Sequence, residues 1–410
     1  MITRRRFLAS LAGTTLLPTT LLAAENPTEL SYWQSVQAKF SIADHLKYFN
    51  NGTLGLSPKS VSEKVKSVMD EVDATGNHGD GQTLIASIAK FVGCSPDEIA
   101  LTHNVTEGIN IAAWSIPLKR GDEVILTNHE HVGGATPWLH RAKRQGLKIK
   151  VIELKPTAAE VLQTISESIT KKTRVIAVPH IPCTNGQILP IQEISKLAKQ
   201  KGCWLVVDGA HPPGMLQLNL HDLGVDTYSS CCHKWMLGPK GTGFIYVKKE
   251  IQDQLLPTYV GAGSDIGWDM LSTPPLYQGY APNAHRYHYG TQNTALFSGV
   301  VAAIDFLEEI GMDRVELRCR SLAALFQQEI LALGDRAEML SPTEAASRSA
   351  VISFRLRNLP HDQFFRKALE NKFRVRSVTE NGLNCIRVST HIYNQPEQIK
   401  EFVEWIYDVA

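Results

Sequence analysis

From about residue 98 onward, the chain alternates between short unbroken apolar runs and longer stretches whose apolar positions recur every three or four residues. Unbroken runs suit strands buried on both faces, and the three-to-four spacing suits helices with one buried stripe. Strands are predicted at 98–102, 123–128, 148–154, 174–178, 204–208, 227–231 and 244–247, with helices at 107–115, 135–145, 158–169 and 191–200. Ahead of them lie an arm with some helix (25–48), a turn-rich loop (50–55) and a helix over 58–75. A loop rich in Pro, His and Tyr (281–290) closes this part, and a long apolar helix follows at 294–310. The remainder reads as helices at 314–333, 363–371 and 396–409 with strands at 350–356 and 384–389. The pattern implies an α/β protein: a large domain (49–290) with a mainly parallel sheet flanked by helices, then a central helix and a smaller C-terminal α/β domain (291–410). In such sheets ligands bind beyond the carboxyl ends of the strands.

Composition adds bounds. A chain of 410 residues exceeds what one core usually serves, so two domains are expected. Hydrophobic content of 43% and charged content of 20% describe an ordinary globular protein. The formal charge is +1, and falls from +1 to −2 without Arg4, Arg5 and Arg6, the only charged residues before Glu25. That balance gives no electrostatic case for nucleic acid or an anionic membrane. Residues 1–24 stand apart. Thr3-Arg4-Arg5-Arg6-Phe7-Leu8-Ala9 resembles a twin-arginine export signal, and Leu22-Ala23-Ala24 allows cleavage before Glu25. A membrane anchor is the alternative, but the apolar run is short and interrupted by Gly13, Thr14 and Pro18. The signal implies the twin-arginine export machinery, a periplasmic or secreted mature protein with no membrane segment, and a cofactor loaded before export. The seven cysteines form no C-x-x-C pair, and their scatter reads as neither zinc site nor disulfide framework.

Candidate chemistry centres on Lys234, in C-C-H-K-W-M-L-G-P-K-G-T-G-F, between a strand-like run and a glycine-rich turn. An ordinary turn lysine is one reading; a lysine forming a Schiff base with an aldehyde cofactor is the other. Asp208 ends an apolar strand in V-V-D-G-A-H-P-P-G, as a helix cap or as the counter-charge of a protonated pyridine nitrogen. His211 beside it is either a packed core histidine or a donor to the cofactor's phenolic oxygen. Thr102 to Asn110, T-H-N-V-T-E-G-I-N, leaves a strand and opens a helix, which offers free amides to a phosphate but also reads as a plain N-cap. His131, in N-H-E-H-V-G-G, could stack on a ring; a zinc site with His129 lacks a third ligand at a convincing spacing, so no metal is expected.

Together these segments, from residue 50 through 394, resemble the class V aminotransferase family of pyridoxal 5'-phosphate enzymes, with fold type I. There is a particular likeness to isopenicillin-N-epimerase-like proteins through D-G-A-H-x-P-G and C-H-K-W-x-x-x-P-K-G-T-G-F. The resemblance implies that Lys234 holds the cofactor and shuttles protons at the substrate α-carbon, Asp208 partners the pyridine nitrogen, His131 stacks over the ring and His211 neighbours its oxygen. It places Thr106, the amide of Val105 and His233 at the phosphate. Thr291 would reach that phosphate from a partner subunit, so a homodimer is implied. Arg387 would clamp the substrate's α-carboxylate, its planar fork suiting that group; a surface strand residue is the alternative. Two departures stand out. Cys231 occupies a position where the family's desulfurases usually carry a hydroxyl, and 362–378 lacks their nucleophilic cysteine. The expected activity is therefore at the α-carbon of an amino acid or amino-acid-like small molecule, aminotransferase-like or epimerase-like, with C–S lyase or desulfurase-like β-elimination as the runner-up. A non-enzymatic sensor of this fold would carry a helix-turn-helix ahead of it, and none is visible.

Overall fold

The computed structural model describes residues 27–410; the export segment and cleavage site expected within 1–24 lie outside the described residues. Its main sheet has seven strands: β1 (Ile99–Thr102), β2 (Glu123–Thr127), β3 (Lys148–Ile152), β4 (Thr173–Pro179), β5 (Trp204–Asp208), β6 (Thr227–Cys231) and β7 (Gly243–Val247), in the order β1-β7-β6-β5-β4-β2-β3. β7 runs antiparallel to both its neighbours and the other pairings are parallel. Successive side chains of a strand point to opposite faces, and here both faces are covered. Val124 and Leu126 enter a core with Ile109 and Trp138, whereas Ile125 enters another with Ile165 and Ile194. This double burial is why the strands read as unbroken apolar runs.

The smaller sheet contains β8 (Ala337–Met339), β9 (Val351–Leu356), β10 (Arg376–Val378) and β11 (Cys385–Ser389), in the order β8-β9-β11-β10, all antiparallel. The N-terminal helix Pro27–Ala38 packs with this sheet: Trp33, Val36 and Phe49 share a core with Phe354 and Phe402. Lys47–Tyr48 pairs in parallel with Phe373–Arg374. The same core takes in Trp235 and Leu237 from the loop after β6, which fixes the smaller sheet against the carboxyl end of the larger.

Among the departures from the pattern reading are two helices. Gly81–Val92 was not predicted, yet Asp80 caps it by accepting from the Gln82 amide, and its buried face is Leu84, Ile85, Ile88, Ala89 and Val92. The helix predicted to start at 135 begins at Val132, because His131 Nδ1 accepts from the Gly133 amide at 3.1 Å. Gly133 and Gly134 are weak helix formers, so periodicity alone places the start too late. Among the described residues no helix is long and apolar enough to cross a membrane.

Candidate active site

Five loops leave the carboxyl ends of β1, β2, β4, β5 and β6, and all five line one cleft of about 210 Å³. Its walls include Val105, Thr106, His131, Asp208, His211, His233, Lys234 and Arg387, so eight of the nine sequence candidates meet there. Thr291 is the ninth; it is exposed and outside the cleft of its own chain.

The Lys234 loop is held by backbone. The Gly55 amide donates to the His233 carbonyl at 2.7 Å, and the Gly238 amide to the Cys232 carbonyl at 2.8 Å. A methyl group on Gly55 would lie 1.9 Å from the Lys234 carbonyl oxygen, so only glycine allows this approach. Leu237, fully buried, adopts φ 60° to complete the turn, a conformation costing a bulky residue roughly 1–3 kcal/mol.

Trp235 sets the state of His211. Its indole Nε1–H donates to His211 Nδ1 at 3.0 Å, which makes Nδ1 the acceptor and puts the ring proton on Nε2. His211 Nε2 is buried without a protein partner. Burial first, and the Lys234 charge second, hold this imidazole well below the ordinary histidine range, so it is a neutral donor at its free edge. The same two causes lower His131, and burial with Lys234 and Lys240 takes His233 down to about 4. His131 Nδ1 is occupied by its helix cap, leaving the imidazole ring among the cleft walls.

Asp208 Oδ1 accepts from the Ala210 amide at 2.9 Å. Val105 and Thr106 open the helix Val105–Ser115, capped by Asn104 through the Glu107 amide. The free amides and dipole of that first turn form an anion site at the cleft wall. Cys231 also lines the cleft; its thiol donates to the Ala210 carbonyl at 3.7 Å, and burial pushes it up to about 11.

Arg387 is fully buried on β11. Nη1 donates to the Cys183 carbonyl at 3.0 Å; Nη2 donates to Asn50 Oδ1 at 3.2 Å and to Thr53 Oγ1 at 2.6 Å. Its Nε is unpartnered, and among the described ion pairs no carboxylate is within reach of it. Burial, then Arg376, lower it to about 10, so it is charged at neutral pH. A buried cation held only by neutral oxygens is poised for an anion from outside.

The sequence reading missed several cleft groups. Arg376 stands directly opposite Arg387 across β10 and β11, paired with Glu380, and also lines the cleft. Cys183 lines it too, beside the Arg376 guanidinium. Asn50 and Thr53 were visible only as turn residues. Cys385, by contrast, is fully buried and outside the cleft walls. His129, weighed as a zinc ligand, shares a 2.7 Å hydrogen bond between Nδ1 and Thr184 Oγ1. Among the described residues no group of three His, Cys, Asp or Glu is placed to hold a metal ion.

The unpartnered edges of His211, His233 and Arg387, with a carboxylate, an amine and a helix N-terminus in one cleft, fit a small anionic aromatic aldehyde. Comparison with known proteins agrees. The family model described as Aminotransferase class-V matches residues 82–402. A protein of Pyrococcus abyssi (strain GE5 / Orsay) named "Probable cysteine desulfurase" is 28% identical over 399 residues, covering 90% of this chain and 96% of its own. An isopenicillin N epimerase of Streptomyces clavuligerus is 26% identical, covering 91% and 97%. Among solved structures, the cystine C–S lyase C-DES in complex with cysteine persulfide superposes with a TM-score of 0.81 at 25% identity, over 89% of this chain and 98% of that one. The apo cysteine desulfurase of Thermococcus onnurineus NA1 shares the fold with a TM-score of 0.81 at 24% identity, over 94% and 98%. By family model, fold and cleft chemistry, this chain belongs to the class V aminotransferase family and is a fold type I enzyme that uses pyridoxal 5'-phosphate.

Proposed function

We propose that the protein cleaves the C–S bond of a cysteine-type amino acid by β-elimination. This reverses the order expected from sequence, where transamination or epimerisation came first. What supports it is the combination of relatives named for C–S chemistry with a cleft that brings the Arg387 guanidinium and the Lys234 amine together. When bound, the cofactor supplies an electron sink for negative charge at the substrate α-carbon. Lys234 would hold it through its side-chain nitrogen, and the same amine, when free, would take the α-proton. Asp208 would hold the pyridine nitrogen, His131 would cover the ring, and His211 Nε2–H would donate to the phenolic oxygen. Val105, Thr106 and His233 would hold the phosphate. Arg387 fixes the α-carboxylate, which orients the Cα–H bond toward Lys234. The Cβ–S bond then breaks with its electron pair leaving on sulfur, and water hydrolyses the resulting enamine to a keto acid and ammonia. Segment 362–378 carries no cysteine to capture that sulfur, so the free thiol or persulfide is the expected product.

An amino-acid panel on the holoenzyme tests this. Cysteine, cystine or an S-substituted cysteine should release pyruvate and ammonia in equal amounts with the matching sulfur product. Alanine as the product would instead indicate desulfuration, and a new keto acid with no sulfur release would sink the proposal. Epimerisation is the second reading, favoured by the Streptomyces relative; inverted stereochemistry without bond loss would identify it.

We also infer a homodimer whose partner supplies Thr291 to the phosphate. The hairpin of Trp268–Asp269 and Leu276–Tyr277 bears Trp268, Met270 and Leu271 at 67, 65 and 94% exposure, a patch that needs a cover. Light scattering should report a dimer, and Leu271→Asp should give monomers that retain the cofactor poorly. A wild-type monomer with full cofactor retention would overturn this.

A further inference from the structure

Behind Asp208 lies a second carboxyl group to which the proposed reaction gives no task. Glu130 sits in the loop after β2, and its Oε1 accepts from both the Thr127 amide at 3.1 Å and the Thr127 hydroxyl at 2.8 Å. Those two bonds fix the plane of the carboxyl group and turn Oε2 the other way. A methyl group built on Gly134 would lie 3.1 Å from Glu130 Oε2 and 3.3 Å from Asp208 Oδ2. Both oxygens therefore border the same small space over the bare Cα of Gly134. Asp208 shows the same division, with Oδ1 bound to the Ala210 amide and Oδ2 turned to the shared space.

Two carboxyl groups this close do not both ionise readily; one keeps a proton. Glu130 is the one that keeps it. Burial, with the Asp208 charge adding to it and outweighing the Thr127 bonds, pushes it up to about 8. The other titratable groups around the pair are Tyr228, whose hydroxyl is engaged with His180 Nδ1, and Cys231, His131 and Lys234.

We propose that Glu130 is a positioning residue for the cofactor, presenting a neutral O–H to Asp208, directly or through one water, so that Asp208 stays a carboxylate against the pyridine nitrogen. A hydrogen bond donated to a carboxylate favours its ionised form, and an ionised Asp208 leaves the proton on the ring. The inference rests on the assignment of Asp208 to that nitrogen. A brace for the β2 loop through Thr127 is the rival role.

The test is the ¹⁵N resonance of the pyridine nitrogen in holoenzyme loaded with ring-labelled cofactor. Wild type, Glu130→Gln and Thr127→Val should all show a protonated nitrogen, since glutamine keeps an acceptor for Thr127 and an N–H for Asp208. Glu130→Leu should move the resonance toward the neutral ring and loosen cofactor retention roughly tenfold, the equivalent of one unit of proton affinity. An unchanged resonance in bound Glu130→Leu, or a Thr127→Val resonance that moves as far, overturns the inference. Should Glu130→Leu fail to fold, the pH titration decides. Glu130 is neutral below its own titration and loses its O–H above it, so wild type should show an alkaline shift of the resonance that Glu130→Gln lacks, and identical titrations overturn the inference. Asp208→Asn separates the two assignments. If it too leaves the nitrogen protonated, the role of Asp208 itself is wrong; if it alone changes the ring, only the role of Glu130 fails.

Discussion

Lys234→Ala should leave a folded protein that no longer binds the cofactor covalently and turns over about 10⁴-fold more slowly or worse. The fold should survive because the Lys234 side chain is only half-buried and anchors nothing. The loop is fixed by the amides of Gly55 and Gly238 and by the buried Trp235 ring, all of which remain. Thermal stability should therefore shift by no more than a degree or two, the scale of a surface substitution of about 0.5 kcal/mol. Activity is another matter, because one amine carries two tasks, the covalent tether and the transfer of the α-proton. Chemical rescue separates them. A small primary amine added to the variant can take the α-proton without tethering anything, so partial recovery of rate with no recovery of lysine-bound absorbance would assign the base. A variant that keeps the wild-type visible spectrum and more than about a tenth of its rate would mean that another group does this chemistry, and the proposed site would be wrong.

How far the sequence foretells this site follows from what fixes each residue. Strands such as β2, β4 and β5 are buried on both faces, so apolar runs at 123–128, 174–178 and 204–208 mark them well, and the ends of β2 and β5 mark the loops that carry His131 and Asp208. Chain order then suffices to group those residues. Arg376 was missed because its meaning is a cross-strand position opposite Arg387, and register between distant strands has no local signature. Glu130 was missed for a related reason: as the first loop acid after a strand it looks solvated, and only the approach of β5 makes it a half-buried neighbour of Asp208. The N-terminal arm gave no hint that it packs with the C-terminal sheet, since the pairing of Lys47–Tyr48 with Phe373–Arg374 joins segments from opposite ends of the chain. The helix Gly81–Val92 is different. Asp80 before it and Gly93 after it are ordinary cap signals, so that omission was a misreading of available information.

Arg387→Met should raise KM for a carboxylate-bearing substrate by about 10²-fold or more, with a smaller change in kcat and little change in cofactor binding. Losing one partner of a buried charged pair costs about 2–5 kcal/mol, and nearly all of that cost falls on the substrate complex. The free enzyme loses much less. Without substrate, Arg387 is a buried cation held by the Cys183 carbonyl, Asn50 and Thr53, with Nε unpartnered and Arg376 opposite. Removing it orphans three acceptors at about 1–3 kcal/mol each if none relaxes, but it also removes the desolvation penalty of an uncompensated charge, several kcal/mol in the other direction. The two terms offset, so the melting temperature should stay within a few degrees of wild type while affinity collapses. That combination marks a residue kept for its ligand and not for the fold. A large drop in melting temperature with an unchanged KM would reverse the conclusion, making Arg387 a structural pin between β11 and the Asn50 loop and leaving Arg376 to bind the carboxylate.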